Sequence, residues 1–359
     1  VQVKRAYKFR AYPTRPQEGR AVHLLADHCD LYNAALEERR EAWRMRQARI
    51  TYGTQSAQLK EIRRGDQDGQ GRHSFTAQQQ TLRRLNVVFA AFYKRAQEGR
   101  AGYPRFKSHS RFDQVMFVAG DGAGWQPAAG GRWARARFQA VGDVKVRQHR
   151  AIRGIVKTLQ LKREHRRWYV IVVAESEPVP LPSTGREVGI DMGVTRFLTT
   201  SDGEIVANPE FLKVSADLIA GLQRRMMLIR QCNRIGVERL KTANMTGRPK
   251  PKPAPGQPGA FLANGAAAKA GLNKAVLDAG WAQFTHILAG KAEEAGRRVI
   301  LVNPAGTSIG CHQCGARCTR PRRDTVVRPV HGPMDADVNG ARNVYARAGL
   351  GSGQAAHAA

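Results

Sequence analysis

Residues 187–206 read EVGIDMGVTRFLTTSDGEIV, and no other stretch constrains the fold as much. Val188, Gly189 and Ile190 make a short apolar strand that ends on Asp191. Phe197 to Thr200 make a hairpin partner, and Ser201-Asp202-Gly203 is a turn leading into Glu204 to Val206. A charged side chain at the end of an apolar strand sits on a rigid element at the edge of a core. The bland reading of Asp191 is a turn cap.

Two further acids follow in comparable settings. Glu238 ends the apolar run IGVE, and Asp337 lies in DADVNGARNVYARAG, ahead of a helix-like run. An Asp at a helix start is commonly a cap, a reading that applies to Asp335 above all. A buried strand carrying an Asp and followed at once by an antiparallel strand is how an RNase H-like fold begins. Phosphodiester hydrolysis by two metals needs carboxylates that converge from several rigid elements to within about 4 Å of the ions. Asp191, Glu238 and Asp337 are the candidates.

Charge then narrows the partner. The 359 residues carry 59 Lys+Arg against 29 Asp+Glu, a formal net charge of +30 spread along the whole length. Such a chain repels itself unless a polyanion is present, so DNA or RNA is the expected partner; a generally basic or lipid-binding protein is the bland alternative. No run of 18 apolar residues exists to span a membrane, and Val1 to Tyr12 lacks a signal-peptide core. Three of the five cysteines, Cys311, Cys314 and Cys318, fall close together, which suggests metal binding in a reducing cytoplasm.

The segments divide by pattern. Residues 2–12 alternate like a strand, 17–49 and 76–98 have helical spacing, and 53–73 read as loop. Aromatic and basic residues interleave from Gly99 to Val118: Tyr103, Arg105, Phe106, Lys107, Arg111 and Phe112. That mix suits a surface that tracks a nucleic-acid backbone and stacks bases, or equally a strand pair whose Phe106 and Phe112 are core. Residues 120–131 read as a Gly-rich loop without a phosphate-binding ending. Residues 133–174 read as several basic strands of a small barrel, with a linker at 177–185 and a domain boundary near 183.

In this order the blocks resemble TnpB, the transposon-encoded RNA-guided nuclease ancestral to type V CRISPR effectors. The matching blocks are RAYKFRAYPT, GYPRFKSHSRFDQVMF, VGIDMGV with SDGE, GVERLKTANM, KAGLNKAVLDAGWAQF, KAEEAGRRVILVNPAGTS, CHQCG and DADVNGARNV. The resemblance implies an α/β multidomain protein. Its parts would be a basic wedge β-barrel (1–15 and 101–183), a helical recognition domain (16–100), a RuvC-like nuclease of RNase H-like fold (184–306 and 334–359), and a degenerate zinc-ribbon insert (307–333). It implies Asp191, Glu238 and Asp337 holding two Mg2+ ions, a transposon-derived guide RNA, double-stranded target DNA, and cleavage beside a short flanking motif. Nucleic-acid contacts are expected at Lys4, Arg5, Lys8 and Arg10 and at Tyr103, Arg105, Phe106, Lys107 and Arg111. A bacterial cytoplasmic location follows, nucleoid-associated when bound.

Two departures stand out. Family members carry a long basic helical hairpin between the first two acids, whereas here one helix, Leu218 to Ile229, fits the space. In the zinc ribbon, Cys311-His312-Gln313-Cys314 is a good half-site, but Val327 and Val330 occupy the second C-x-x-C, and Ile309 replaces a polar residue before the first. Cys318 and His331 would complete a Cys3His set with Cys311 and Cys314; the alternative is a ribbon that no longer holds Zn2+. Residues 247–262 read as a Pro-rich linker or a lid. Besides a nuclease, the chain could be an RNA-guided DNA-binding protein without cleavage, or, at lower rank, a transposase catalysing strand transfer.

Overall fold

The computed structural model describes residues 2–99, 102–208, 231–247, 249, 252–255, 261–262, 265–319 and 324–351. The expected helix at Leu218 to Ile229 and most of the Pro-rich segment lie outside the described residues. The chain forms two compact units, Val1–Glu177 and Pro178–Ala359. Among the described residues no helix is long and apolar enough to cross a membrane.

The first unit is a closed seven-stranded barrel joined to three helices. Strand β1 (Val3–Tyr12) is followed by α1 (Arg15–Arg46), α2 (Tyr52–Gly65) and α3 (Phe75–Gln97). Then come β2 (Gln114–Ala119), β3 (Gly122–Gln126), β4 (Trp133–Phe138), β5 (Gly142–Arg147), β6 (Ile155–Glu164) and β7 (Arg167–Ser176), closing in the order β1-β5-β4-β3-β2-β6-β7. The strands alternate as a barrel requires: Tyr7, Phe9 and Ala11 of β1, Ala134, Ala136 and Phe138 of β4, and Val170, Val172 and Ala174 of β7 point inward. This interior is continuous with Leu24, Leu25, Tyr32 and Leu36 of α1 and Leu82, Leu85 and Phe89 of α3, so barrel and helices share one core.

Helix α1 starts at a capping box, with Thr14 and Gln17 exchanging bonds. It buries His28, whose Nδ1 is 2.8 Å from the Thr81 hydroxyl, beside His73, whose Nε2 is 2.7 Å from Asp27 Oδ2. Burial first, then the neighbouring His73, pushes His28 down to about 3.

The unit differs from expectation in two places. Residues 52–65 are helical because the Thr51 hydroxyl accepts the Thr54 N–H and Leu59 is fully buried; the polar composition hid a helix that sinks little more than that one leucine and Gln55. Within the Gly-rich stretch, Gly122–Gln126 is a strand. Gly120 and Gly122 take positive φ, and a side chain at Gly122 would run into the Ser74 Cβ 2.4 Å away.

The second unit is a mixed five-stranded sheet, β10-β9-β8-β11-β14. Its strands are β8 (Glu187–Asp191), β9 (Arg196–Thr200), β10 (Ile205–Ala207), β11 (Arg234–Glu238) and β14 (Arg298–Val302). The β8-β9-β10 edge is antiparallel, while β8, β11 and β14 run parallel. Between β11 and β14 lie the short α4 (Thr242–Met245), the two-residue pair β12 (Lys252–Pro253) and β13 (Phe261–Leu262), and helices α5 (Ala266–Ala279) and α6 (Trp281–Glu294). A hairpin of β15 (Thr325–Arg328) and β16 (Gly332–Asp335) runs into α7 (Ala336–Arg347). The division falls after Glu177 and not near 183, because Val179 and Leu181 donate backbone bonds to Glu294 and Ala295 at 3.0 Å, tying the linker's second half to this unit.

Candidate active site

Asp191 and Glu238 end two neighbouring parallel strands, the place where open α/β sheets present ligand groups. Each acid is preceded two residues earlier by a glycine on the same face of its strand, Gly189 and Gly236, and these two glycines are paired in register. Helix α7 lies across them. A Cβ at Gly189 would sit 2.3 Å from the Ala341 carbonyl oxygen, and one at Gly236 would sit 2.9 Å from the Ala348 Cβ. The helix therefore rests on bare backbone, and its first turn carries Asp337 to the acids. Gly340 faces Asp191 in the same way, a Cβ there standing 2.8 Å from the carboxylate Oδ2.

The helix start is fixed from two sides. Asp335 is its cap, accepting the N–H groups of Asp337 and Val338 at 3.0 and 3.1 Å. Arg196 of β9 donates to Asp335 at 2.6 Å and stands 3.5 Å from Asp337 Oδ2. Although burial opposes it, Arg196 and the two backbone donors hold the Asp335 carboxyl below its ordinary range. Asp335 thus shapes the site as a cap.

Glu238 is buried, with the Thr307 hydroxyl 2.6 Å from its Oε1. Thr307 belongs to a loop anchored by α7: Asn343 donates to the carbonyls of Thr307 and Gly310 at 2.8 and 2.7 Å, and Asn339 donates to Gly310 at 2.8 Å. Burial, then the charges of Glu238 and Asp337, pushes Asp191 up to about 8. Burial also raises Glu238, against the hydrogen bonds it receives from Thr307 and Asp191. Burial and mutual repulsion thus disfavour two charges here, and a cation is the natural partner for the pair. Carboxylate oxygens on rigid elements are the donor type that Mg2+ takes, although the three acids do not have all their ligand atoms within 4.8 Å of one another.

The expected zinc set is brought together in part. Ligand atoms of Cys311, Cys314 and His331 lie within 4.8 Å of one another, two thiols and an imidazole that suit Zn2+. Burial works against ionising Cys311, but the N–H groups of Cys314 and Gln313 hold its thiol below the ordinary value. Cys318, the fourth expected ligand, is buried in one cluster with Cys311, Val326 and Ala336, and its sulfur is not among the three atoms brought within 4.8 Å. Val327 pairs with Pro333 in the hairpin and Val330 is exposed at its turn, beside His331.

The expected nucleic-acid residues all belong to the first unit, and they divide by environment. Lys8 lies 4.3 Å over the Tyr169 ring and bonds Glu164, Arg10 lies over Tyr12 and Tyr169, and Arg5 over Tyr7. Lys4 is an exposed partner of Glu175. Tyr103 meets Phe89 and Phe92 edge-on, and Lys107 lies over Tyr32 and Phe112; Phe112 is core, while Phe106, Arg105 and Arg111 are exposed. Sequence reasoning missed Trp133, exposed beside Tyr12 with Lys145 4.2 Å over its ring. It also missed Thr307, Arg196 and the glycine pair, although a Gly two residues before each strand-ending acid was a signal in plain view.

Comparison with known proteins follows the same line. The Cas12f1-like TNB domain family matches residues 281–344. A Streptomyces pristinaespiralis protein named as a candidate RNA-guided DNA endonuclease is 27% identical over 97% of this chain and 90% of its own length. An Escherichia coli K12 protein named as the candidate RNA-guided DNA endonuclease InsQ is 27% identical over 95% of this chain and 91% of its own. The protein of a cryo-EM structure of the Cas12f1–sgRNA–target DNA complex has a similar fold, with a TM-score of 0.54 at 10% identity over 96% of this chain and 98% of that one. The sequence blocks of this chain thus resemble TnpB, and its relatives and fold liken it to proteins named as RNA-guided DNA endonucleases and to Cas12f1.

Proposed function

We propose that the chain is an RNA-guided DNA endonuclease that cuts by metal-dependent phosphodiester hydrolysis in a RuvC-like, RNase H-like domain. The observation that carries this reading is the pair Asp191 and Glu238 at the ends of two parallel strands, buried enough to resist full ionisation, with Asp337 on the first turn of the helix that packs across those strands. The names of the two bacterial relatives and the nucleic acids in the Cas12f1 complex support it.

Two Mg2+ ions bound by the three acids would activate a water and neutralise charge at the leaving 3′-oxygen. The chain's own part is positioning. Asp191 and Glu238 would hold a cation once ionised, Thr307 holds Glu238 in place, and the Asp335 cap with Arg196 fixes where Asp337 stands. The strand sequence would be read by guide pairing, with the basic first unit as the surface for guide RNA and target. Co-purified RNA, Mg2+ and a matching plasmid should give linear product, and Asp191→Ala should give none. A cutting Asp191→Ala protein would sink the assignment.

A second reading, RNA-guided DNA binding without cleavage, is favoured by the three-ligand ribbon, since a loosely held insert would leave the Thr307 loop less firmly anchored. Purified protein that binds its target but leaves it intact at every Mg2+ concentration would establish that reading.

A further inference from the structure

Beside Glu238 is a groove that the three acids leave unused. The chain leaves β11 as Arg239-Leu240-Lys241, passes into α4, and returns past the end of β14 as Leu301 to Pro304; these segments enclose a cavity of about 520 Å3. That lies within the roughly 300–1,000 Å3 of sites that take small ligands or parts of larger ones.

The lining combines three chemistries. Arg239 and Lys241 supply cations, and neither forms an ion pair among the described residues. Met245 and Leu301 offer apolar surface, 38% and 40% exposed. Asn244 and Asn303 bring amides able to meet polar edges. A small anion would use only the cations, and an apolar ligand only the floor. A nucleotide uses all three, with phosphate, base face and base edge.

The groove is also preformed and joined to the acid. Arg239 N–H donates to the Val302 carbonyl at 2.8 Å, so the β11–β14 pairing runs one residue past Glu238. Lys269 Nζ donates to the Met245 carbonyl at 2.7 Å and Asn273 to the Thr246 carbonyl at 2.9 Å, which hold α4 in place. Pro304 walls the groove, and its carbonyl lies 2.8 Å from the same Thr307 hydroxyl that reaches Glu238. Contents of the groove and position of the acid therefore meet in one turn.

We infer that this groove is a nucleotide subsite for the single DNA strand being cut. Arg239 and Lys241 hold a phosphate neighbouring the scissile one, and the base lies on Met245 and Leu301. The inference rests on the nuclease reading for the identity of the strand.

The test is photocrosslinking of the full chain, as Asp191→Asn, to single-stranded oligo(dT) carrying one iodouracil, with the labelled peptides mapped by mass spectrometry. Label on residues 239–247 is expected. Arg239→Ala with Lys241→Ala should weaken oligo(dT) binding about tenfold at fixed salt, with thermal unfolding unchanged. Label confined to other regions, equal binding by the double variant, or exclusive capture of oligo(U) RNA would each overturn the subsite. If the double variant binds and cuts like its parent, the groove assignment fails and the nuclease reading stands. If label stays in the groove while the unmutated chain leaves a matching plasmid intact at every Mg2+ concentration, the nuclease reading fails and the subsite stands.

Discussion

The two units of this chain treat buried charge in opposite ways. The barrel unit buries histidines and keeps them neutral: His28 and His73 sit in the core against Thr81 and Asp27. The sheet unit buries carboxylates that crowd one another, Asp191 and Glu238, and leaves them short of a counter-charge. The first arrangement serves stability near neutral pH. The second costs stability there and is retained where something positive is meant to bind.

The sharpest way to break this contrast is Asp191→Ala. Cleavage should fall by at least about a thousandfold, because one of three ligands is gone, while RNA binding through the basic unit stays within about twofold. Plasmid linearisation beside filter binding measures both; equal loss of both would mean that the units do not divide the work.

The next effect is steric. Gly189→Ala forces α7 off the sheet and should cost about 2–3 kcal/mol, whereas Gly124→Ala in β3, with nothing within 4 Å of its Cβ position, should cost well under about 1 kcal/mol. Denaturant titration of both variants compares them directly.

Acid gives the two units opposite responses. The folded-state pKa of His28 is depressed to about 3, so the unfolded chain takes up protons first, and stability present above about pH 6.5 is lost as pH falls toward 3, by about 2 kcal/mol near pH 5. Asp191 is raised to about 8, so its contribution is favourable below its ordinary 3.8 and is lost as pH rises toward 8. Hydrogen exchange followed by peptide should show the barrel unit loosening and the sheet unit tightening on acidification, with His28→Gln removing part of the first trend.

By the same sign, Asp191→Asn should stabilise the sheet unit at neutral pH by on the order of 1–2 kcal/mol and blunt its protection by Mg2+. The smallest expected change is at the ribbon. Cys318→Ser should leave zinc content per chain as it was, whereas His331→Ala should lower it.

What the sequence revealed follows from where each signal resides. Asp191 and Glu238 were legible because short apolar strands end on them, Asp337 because a helix-like run follows it, and the barrel because its strands alternate with period two. Helix α2 was hidden by polarity, since Leu59 and Gln55 are all it buries, and β3 was hidden by glycines that serve a tight turn and a close approach to Ser74. The ribbon illustrates a different limit. Spacing put Cys318 on equal terms with its neighbours, and only the fold shows that its sulfur is not among the ligand atoms gathered within 4.8 Å.

The shared core of the barrel unit has a consequence for motion. Hinges need a seam of few contacts, and the apolar cluster that runs unbroken from Phe9 through Tyr32 to Phe89 provides none between barrel and helices. A polyanion binding this unit, as proposed, would meet a fixed template, and the fit would then come from the nucleic acid bending to the protein, at a cost set by its sequence-dependent stiffness.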